Sequence, residues 1–477
     1  MILDLVAARW EECSEPVGID LEDPATGAVL GPALGSSASR VEEAIAAAAA
    51  LDAWGLPASD RADVLDAVAA AVAEAASEIV LLEAKATGVP IRQTTPLGMI
   101  LSGAFALAVA QLRTGLLRST ATREDGREVV VERLPWGPAA CLVPWNAPAP
   151  MAAHKVANAL AAGCPTILKP SEYAPFGTTR LAQVISSVLA EKGAPPALFQ
   201  LLQGGADVGA RIVGDTRIRA VSFTGGLAGG RAVATACAFD IKPVQLELGG
   251  NNPLIVLPDA DEEVAARAAA DLLTTLNGQW CRALGRLIVP AGREQPIVDA
   301  VLARIAAMRT GDPADEATDY GPLIHSLHRA AVEKARDGMG GTVHKSDLSG
   351  MGNTLAPALV VGADTAQTRD EIFGPVAAVH GYRTIDEAVA LANGTSHGLE
   401  GYVVGTDEAA ALEVARRVRA GEVKVNGSSI MSLHLFTPRP AWGLSGYSEE
   451  GTAETLLFFT NPRVVGVEGG FSLHGRP

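Results

Sequence analysis

The sequence predicts an α/β protein in which parallel sheets are covered by helices on both faces. Two observations carry that prediction. Short apolar, β-branched runs such as Pro165-Thr166-Ile167-Leu168-Lys169-Pro170 and Ala220-Val221-Ser222-Phe223 alternate with helical stretches of about a dozen residues, the rhythm of βαβ units. The chain is also long and apolar enough for it: 477 residues, 48 % hydrophobic and 19 % charged, supply core for roughly three folding units at about 150 residues each. No fixed-period repeat or low-complexity linker interrupts the pattern, so two α/β lobes in one body are expected.

The elements follow in order. Asp23-Pro24-Ala25-Thr26-Gly27 is turn chemistry after an extended lead. Ser39-Arg40-Val41-Glu42 reads as a capping box opening an Ala-rich helix that ends near Trp54. Leu65 to Ala86 continues as helix until Thr87-Gly88-Val89-Pro90. Gln93 to Leu112 is uncharged over 20 residues, a membrane-spanning length, but Gln93, Thr94, Thr95, Pro96, Gly98, Ser102 and Gln111 favour a buried helix. Arg127 to Arg133 is β-branched and flanked by charges, as an exposed strand would be. Five prolines between Pro135 and Pro150 exclude a helix there, and Ala152 to Ala162 returns to one.

Past Phe223, a helix at 231–239, a strand at 243–248 and a helix at 262–276 are expected. Strands at 286–289, 358–361, 376–379 and 422–426 then alternate with helices at 295–308, 385–393 and 408–419.

Thirty-eight Lys and Arg against 54 Asp and Glu give a net charge of −16, which disfavours nucleic acid and anionic membrane as partners. Aromatics are 4 %, so small aliphatics must build the core. Five scattered cysteines, none in a C-x-x-C pair, argue against a disulfide scaffold and against a zinc site, so no metal is expected. A reducing, cytoplasmic setting fits, and the N-terminus carries no basic region followed by a long apolar run.

Three residues can carry chemistry. Cys281 follows a helix and a Gly278-Gln279 turn, where backbone N–H groups can favour a thiolate. Alone, it reads better as a buried, inert cysteine. Glu247 sits in the apolar strand Val244 to Leu248, where desolvation raises a carboxyl toward the range of a general base; alone, a surface-facing strand residue explains it about as well. Asn146, in Pro144-Trp145-Asn146-Ala147-Pro148, can present a fixed amide donor to an oxyanion, although an Asx-type turn is the better account of it in isolation.

Two segments suit a nucleotide. Phe223-Thr224-Gly225-Gly226-Leu227-Ala228-Gly229-Gly230-Arg231 is a strand, a Gly-rich turn and a helix start, an anion site without dinucleotide G-x-G-x-x-G spacing. Arg231 and Ala232 stand where a P-loop needs Lys and Ser/Thr, so ATP is not expected. Lys169-Pro170-Ser171-Glu172 ends a strand with an acid able to accept both ribose hydroxyls and to disfavour a 2′-phosphate.

In combination these segments resemble the aldehyde dehydrogenase superfamily nearly end to end. The likeness is also carried by Leu160-Ala161-Ala162-Gly163-Cys164-Pro165-Thr166, Leu246-Glu247-Leu248-Gly249-Gly250, Gly278-Gln279-Trp280-Cys281, Gly311-Asp312-Pro313, Gly321-Pro322-Leu323-Ile324, Glu371-Ile372-Phe373-Gly374-Pro375-Val376 and Ser445-Gly446.

The resemblance implies a Rossmann-like cofactor domain (1–117 and 136–249), an α/β catalytic domain (250–440), and a β-flap with C-terminal tail for oligomerisation (118–135 and 441–477). It implies Cys281 as nucleophile, Asn146 as oxyanion donor and Glu247 as the base that activates water. Trp145, Lys169, Ser171, Glu172, Gly225, Gly226, Gly230, Leu248, Glu371 and Phe373 would bind the cofactor. NAD is expected there, with NADP as the alternative that some family members with this acid accept. Glu450 and Gly451 fit a weaker C-terminal motif. Ala147, Met151, His154, Trp280, Arg282 and Phe436 are substrate-pocket candidates by position. Arg282 and His154 suggest a polar or anionic aldehyde, against the competing reading that Arg282 turns away into a structural ion pair.

The expected partners are a small aldehyde and further copies of the chain, because strand 128–133 would present an unpaired edge that pairs into a homodimer or homotetramer. Departures from the family pattern are Gly226 and Leu227 for the usual Ser-Thr pair, Ala147 for an aromatic, Trp280 and Arg282 beside the nucleophile, and a short stretch at Pro440 to Ser445. They leave two alternatives: transfer of the acyl group to coenzyme A, and a catalytically silent homologue.

Overall fold

The computed structural model describes residues 1–447 and 452–468. The apolar runs form strands buried on both faces: every residue of Ala139–Val143 and of Thr166–Pro170 is buried, as parallel strands between helical layers must be. They belong to an eight-stranded sheet ordered Arg9–Glu12, Leu3–Val6, Phe199–Leu201, Thr166–Pro170, Ala139–Val143, Ala220–Thr224, Val244–Glu247 and Gly446–Tyr447. The five middle strands run parallel, and the pairings beyond Phe199–Leu201 and Val244–Glu247 are antiparallel.

The chain lays down the central strand first, works outward on one side, then crosses back to finish the other side. In chain order the five parallel strands stand 3-2-1-4-5. The point where winding reverses lies between Ala139–Val143 and Ala220–Thr224, and the crevice beyond their carboxyl ends is where such sheets bind ligands.

A second sheet has seven strands, ordered Thr342–Lys345, Ala358–Val361, Val376–Tyr382, Leu284–Pro290, Asn252–Val256, Glu400–Val404 and Glu422–Val425, parallel except at its first pair. Only Leu248-Gly249-Gly250-Asn251 separates the last parallel strand of the first sheet from the first strand of the second. Glu247 therefore ends one sheet where the other begins.

The uncharged stretch lies within the helix Ile91–Arg113, long and apolar enough to cross a bilayer by length and composition. Its apolar face is used internally: Leu101, Phe105, Ala108 and Val109 join Leu65, Val68, Val72 and Ile79 of the helix Ala58–Thr87 in the first core.

Several local expectations change. The first helix, Ala38–Leu51, is capped by Ser37, whose hydroxyl accepts from the Arg40 N–H, so the Ser39 capping box does not form and Trp54 lies beyond the helix end. The proline-rich segment contains the strand Ala139–Val143, and its helix begins at Pro148 rather than Ala152. Pro148 and Pro150 occupy the first turn, where N–H groups have no intrahelical partner to lose.

The flap strand Glu128–Pro135 is not an edge. It is the middle of three antiparallel strands, paired with Arg118–Thr122 on one side and with Thr460–Gly466 on the other. A tail strand more than 300 residues away in sequence covers it, a pairing that no local pattern announces.

Candidate active site

The crevice at the winding reversal is lined as the strand order requires. Pro144, Trp145 and Asn146 follow one strand, and Gly225 and Gly226 follow the other. These segments border two adjacent spaces. A cavity of about 230 Å³ is walled by Trp145, Asn146, Met151, Glu247, Leu248, Cys281, His328, Glu371 and Phe373. A groove of about 390 Å³ holds Lys169, Ser171, Glu172 and Tyr173 at its far end. Pro144, Trp145, Thr224, Gly225 and Gly226 line both.

Cys281 reaches the cavity through a strained approach. Leu276, Asn277 and Gly278 take φ of 50°, 57° and 75°, a left-handed run that side chains other than Asn and Gly resist. It is clamped on each side. Asn277 Nδ2 donates to Gly88 O and Pro322 O, both at 2.9 Å, and its Oδ1 accepts from Gly321 N at 2.9 Å. Gln279 Oε1 accepts from Ile324 N, and its carbonyl accepts from Asn146 Nδ2 at 3.0 Å. That last bond joins the amide of one lobe to the nucleophile turn of the other. A Cβ on Gly278 would run into the Gly374–Pro375 backbone.

The electrostatics are those of a dry cavity. Burial, then the neighbouring Glu247 carboxylate, pushes the Cys281 thiol well above its ordinary range, and Glu247 is in hydrogen-bonding contact with it. Burial lifts Glu371 to about 8 although its Oε1 accepts from Gly250 N at 2.9 Å. A Cβ on Gly249 would strike the Glu371 carboxylate, so this residue must be small. His328 is pushed down to about 4 by burial and is neutral; its ring packs edge-on to Trp145 at 5.1 Å, and its Nε2 lies 2.7 Å from Phe373 O.

The groove suits a dinucleotide. Ala206, Gly209, Ala210, Ala232, Val233 and Ala236 present small side chains from two helices, leaving a slot for a flat ring. Gly226 caps the helix Leu227–Phe239 without a side-chain hydrogen bond, which leaves first-turn N–H groups for a pyrophosphate. Glu172 stands beside Lys169, with Nζ–Oε2 at 3.8 Å, where a ribose would end.

Among the expected cofactor residues, Trp145, Gly225, Gly226, Leu248, Glu371 and Phe373 line the cavity, and Lys169, Ser171 and Glu172 line the groove. Gly230 lines neither; a Cβ there would press on Leu248, so its smallness serves packing. Of the substrate candidates, Met151 lines the cavity. Ala147 borders a small neighbouring space with Glu83 and Pro150. His154 is half-buried on the helix Pro148–Ala162, Trp280 is packed in the second core, and Phe436 is 52 % exposed. Arg282 turns away: its Nη1 donates to Glu400 Oε2 at 2.9 Å, both side chains buried. Arg282 is therefore half of a structural ion pair, and its guanidinium is not offered to an anionic aldehyde.

Glu450 and Gly451 lie outside the described residues. His328 was missed, because a histidine on a surface-like helix pattern gives no local sign that it faces a cavity.

A doubly wound sheet, a groove at its winding reversal and a buried cysteine beside a carboxyl define a nucleotide-binding α/β protein with a thiol at the end of its groove. The chain belongs to the aldehyde dehydrogenase family, whose model matches residues 10–465. It is 34 % identical over 391 residues to geranial dehydrogenase of Castellaniella defragrans, covering 79 % of this chain and 80 % of that protein. Among solved structures, aldehyde dehydrogenase C of Pseudomonas syringae, a Cys-to-Ala variant with NAD+ and octanal, matches with TM-score 0.89 and 29 % identity, covering 97 % of this chain and 96 % of that one. An NAD-dependent aldehyde dehydrogenase from Sinorhizobium meliloti matches with TM-score 0.91 and 29 % identity, covering 99 % and 96 %.

Proposed function

We propose that this chain oxidises an apolar aldehyde to its carboxylic acid with NAD, through a covalent adduct on Cys281. The observation that carries the reading is convergence: thiol, carboxyl and amide from three separate segments border one cavity, and five lining residues are shared with the adjacent groove. A bound nicotinamide dinucleotide would supply the hydride acceptor.

The remaining steps belong to this chain. Cys281, buried and protonated at rest, gives its proton to Glu247, and the sulfur bonds to the aldehyde carbon. Asn146, with one amide hydrogen on Gln279 O, directs the other at the developing oxyanion. Loss of hydride leaves a thioester on Cys281. Glu247 passes that proton to solvent and then takes one from water, whose oxygen attacks the thioester carbon, and the Cys281 thiolate departs as the acid forms. Glu371, Leu248 and Phe373 would hold the nicotinamide end, and Lys169 and Glu172 the adenosine ribose.

The cavity wall argues for an apolar substrate. Met151 adds apolar wall beside the nucleophile, and no Lys or Arg lines the cavity among the described residues, since Arg282 is held by Glu400. The names of the relatives point the same way, with geranial and octanal both apolar. The retained carboxyl at Glu247 favours water over coenzyme A as acyl acceptor. A cytoplasmic homodimer or homotetramer is proposed with it, the fully exposed strand Arg118–Thr122 supplying an edge for a second copy.

The test is a panel of aldehydes with NAD+ and product analysis with and without coenzyme A. Octanal should exceed succinic semialdehyde at least tenfold in kcat/KM. Cys281→Ala should abolish turnover, and Glu247→Gln should slow formation of the first equivalent of reduced cofactor and stall after it. Equal efficiency on the two aldehydes would remove the apolar assignment, and full turnover by Cys281→Ala would remove the mechanism.

A further inference from the structure

Five charged side chains meet behind the nucleophile, outside the cavity itself. Glu400 and Glu422 lie directly opposite one another on adjacent parallel strands, as do Tyr402 and Lys424 two residues on. Two carboxylates in register repel unless cations stand between them. Here three do. Lys424 Nζ contacts Glu400 Oε1 and lies 3.6 Å from Glu422 Oε2. Arg439 Nη2 lies 3.7 Å from Glu400 and 3.5 Å from Glu422. Arg282 closes the cluster on Glu400 at 2.9 Å. Arg282, Glu400, Glu422 and Lys424 are 4 %, 1 %, 7 % and 3 % exposed.

A buried ionic cluster is a costly way to fill space, since apolar side chains of similar volume are often as stabilising or more so. Its location supplies another use for it. Arg282 is covalently next to Cys281, and the same strand fixes the backbone there: Tyr402 OH donates to Arg282 O at 2.9 Å. Asn252, whose Oδ1 accepts from Glu400 N, donates to Cys281 O and to Ala283 O. The remaining groups bearing on the thiol are Glu247 and Glu371, both carboxyls, with neutral His328 across the cavity and the Tyr402 phenol behind. Arg282 is therefore the one cation acting directly on Cys281 among them, and Glu400 is its counter-ion.

We propose that Glu400 is a positioning residue for the nucleophile, acting through Arg282 to set how much positive charge Cys281 experiences. With both carboxylates present, three cations face two anions. Replacing Glu400 by Gln leaves Arg282 without its counter-ion, which favours the thiolate. Replacing Arg282 by Met removes the cation, which disfavours it. The inference rests on Cys281 being the reactive thiol, but its readout does not require aldehyde turnover.

The experiment is the pH dependence of Cys281 alkylation by iodoacetamide in the full chain, followed by mass spectrometry of the labelled peptide. E400Q should lower the midpoint by about one pH unit. R282M should raise it, R282K should hold it near the parent value, and E422Q, which pairs no atom with Arg282, should move it less than E400Q. Circular dichroism and thermal unfolding report which variants fold; should R282M not fold, the contrast of E400Q with R282K decides. Midpoints that stay at the parent value in folded E400Q, or that move in the same direction in E400Q and R282M, overturn the proposal. An alanine at 281 that still oxidised aldehyde would instead defeat the functional reading and leave the alkylation result intact.

Discussion

Asn277 is the residue on which the geometry around Cys281 most depends, and Asn277→Ala is the perturbation that shows it. Its side chain is fully buried and makes three hydrogen bonds to backbone groups of two other segments, at Gly88, Pro322 and Gly321. Alanine forfeits all three, at about 1 kcal/mol each. It also sits at φ +57° without the local polar contacts that make this conformation tolerable for Asn, which adds about 1 kcal/mol. The sum is about 4 kcal/mol. Asn277→Asp refines the expectation: the carboxylate can still accept from Gly321 N but must face two carbonyl oxygens, so it should be at least as damaging. Chemical denaturation followed by tryptophan fluorescence measures the loss, with Trp280 three residues from the change, and aldehyde turnover should fall with it. An Asn277→Ala chain within 1 kcal/mol of the parent, with normal turnover, would show that the clamp does not hold this turn.

Other consequences follow from single contacts. Gly249→Ala should push the Glu371 carboxylate aside and raise the KM for NAD+ at least tenfold with little change in thermal stability, whereas an unchanged KM would detach Glu371 from the cofactor. Glu172→Ala should narrow the preference for NAD+ over NADP+, read as the ratio of kcat/KM values; a ratio equal to the parent's would remove Glu172 from the ribose. Glu83 is buried with a carboxyl pushed up to about 8 and accepts from Ala149 N at 3.1 Å, beside prolines that have no N–H. Between its ordinary 4.5 and 8 the unfolded chain releases a proton that the folded chain keeps. Stability should therefore fall as pH rises, by up to about 1.4 kcal/mol per unit, and level off above 8. Glu83→Gln should flatten that slope in melts at pH 5 and pH 8, and a slope like the parent's would show that Glu83 is ionised throughout.

The chain's local chemistry already carried the α/β class, the strands at Ala220–Thr224, Val244–Glu247 and Ala358–Val361, and the segments holding Cys281, Glu247 and Asn146. Alternating apolar runs, Gly-rich turns and helix starts act over a few residues, so the sequence displays them directly. What it could not display was pairing across distance. The Ser39 capping box lost to Ser37 because the helix boundary depends on how the preceding strand delivers the chain. The flap strand gained a second neighbour from the far terminus. His328 entered the cavity through the packing of its helix. Arg282 is the sharpest case: beside the nucleophile in sequence it can be read as a cation facing substrate or as half of a structural ion pair, and Glu400, 118 residues away, decides for the ion pair. A buried charge takes whichever opposite charge the fold brings within a few ångströms, and only the tertiary structure decides which one that is.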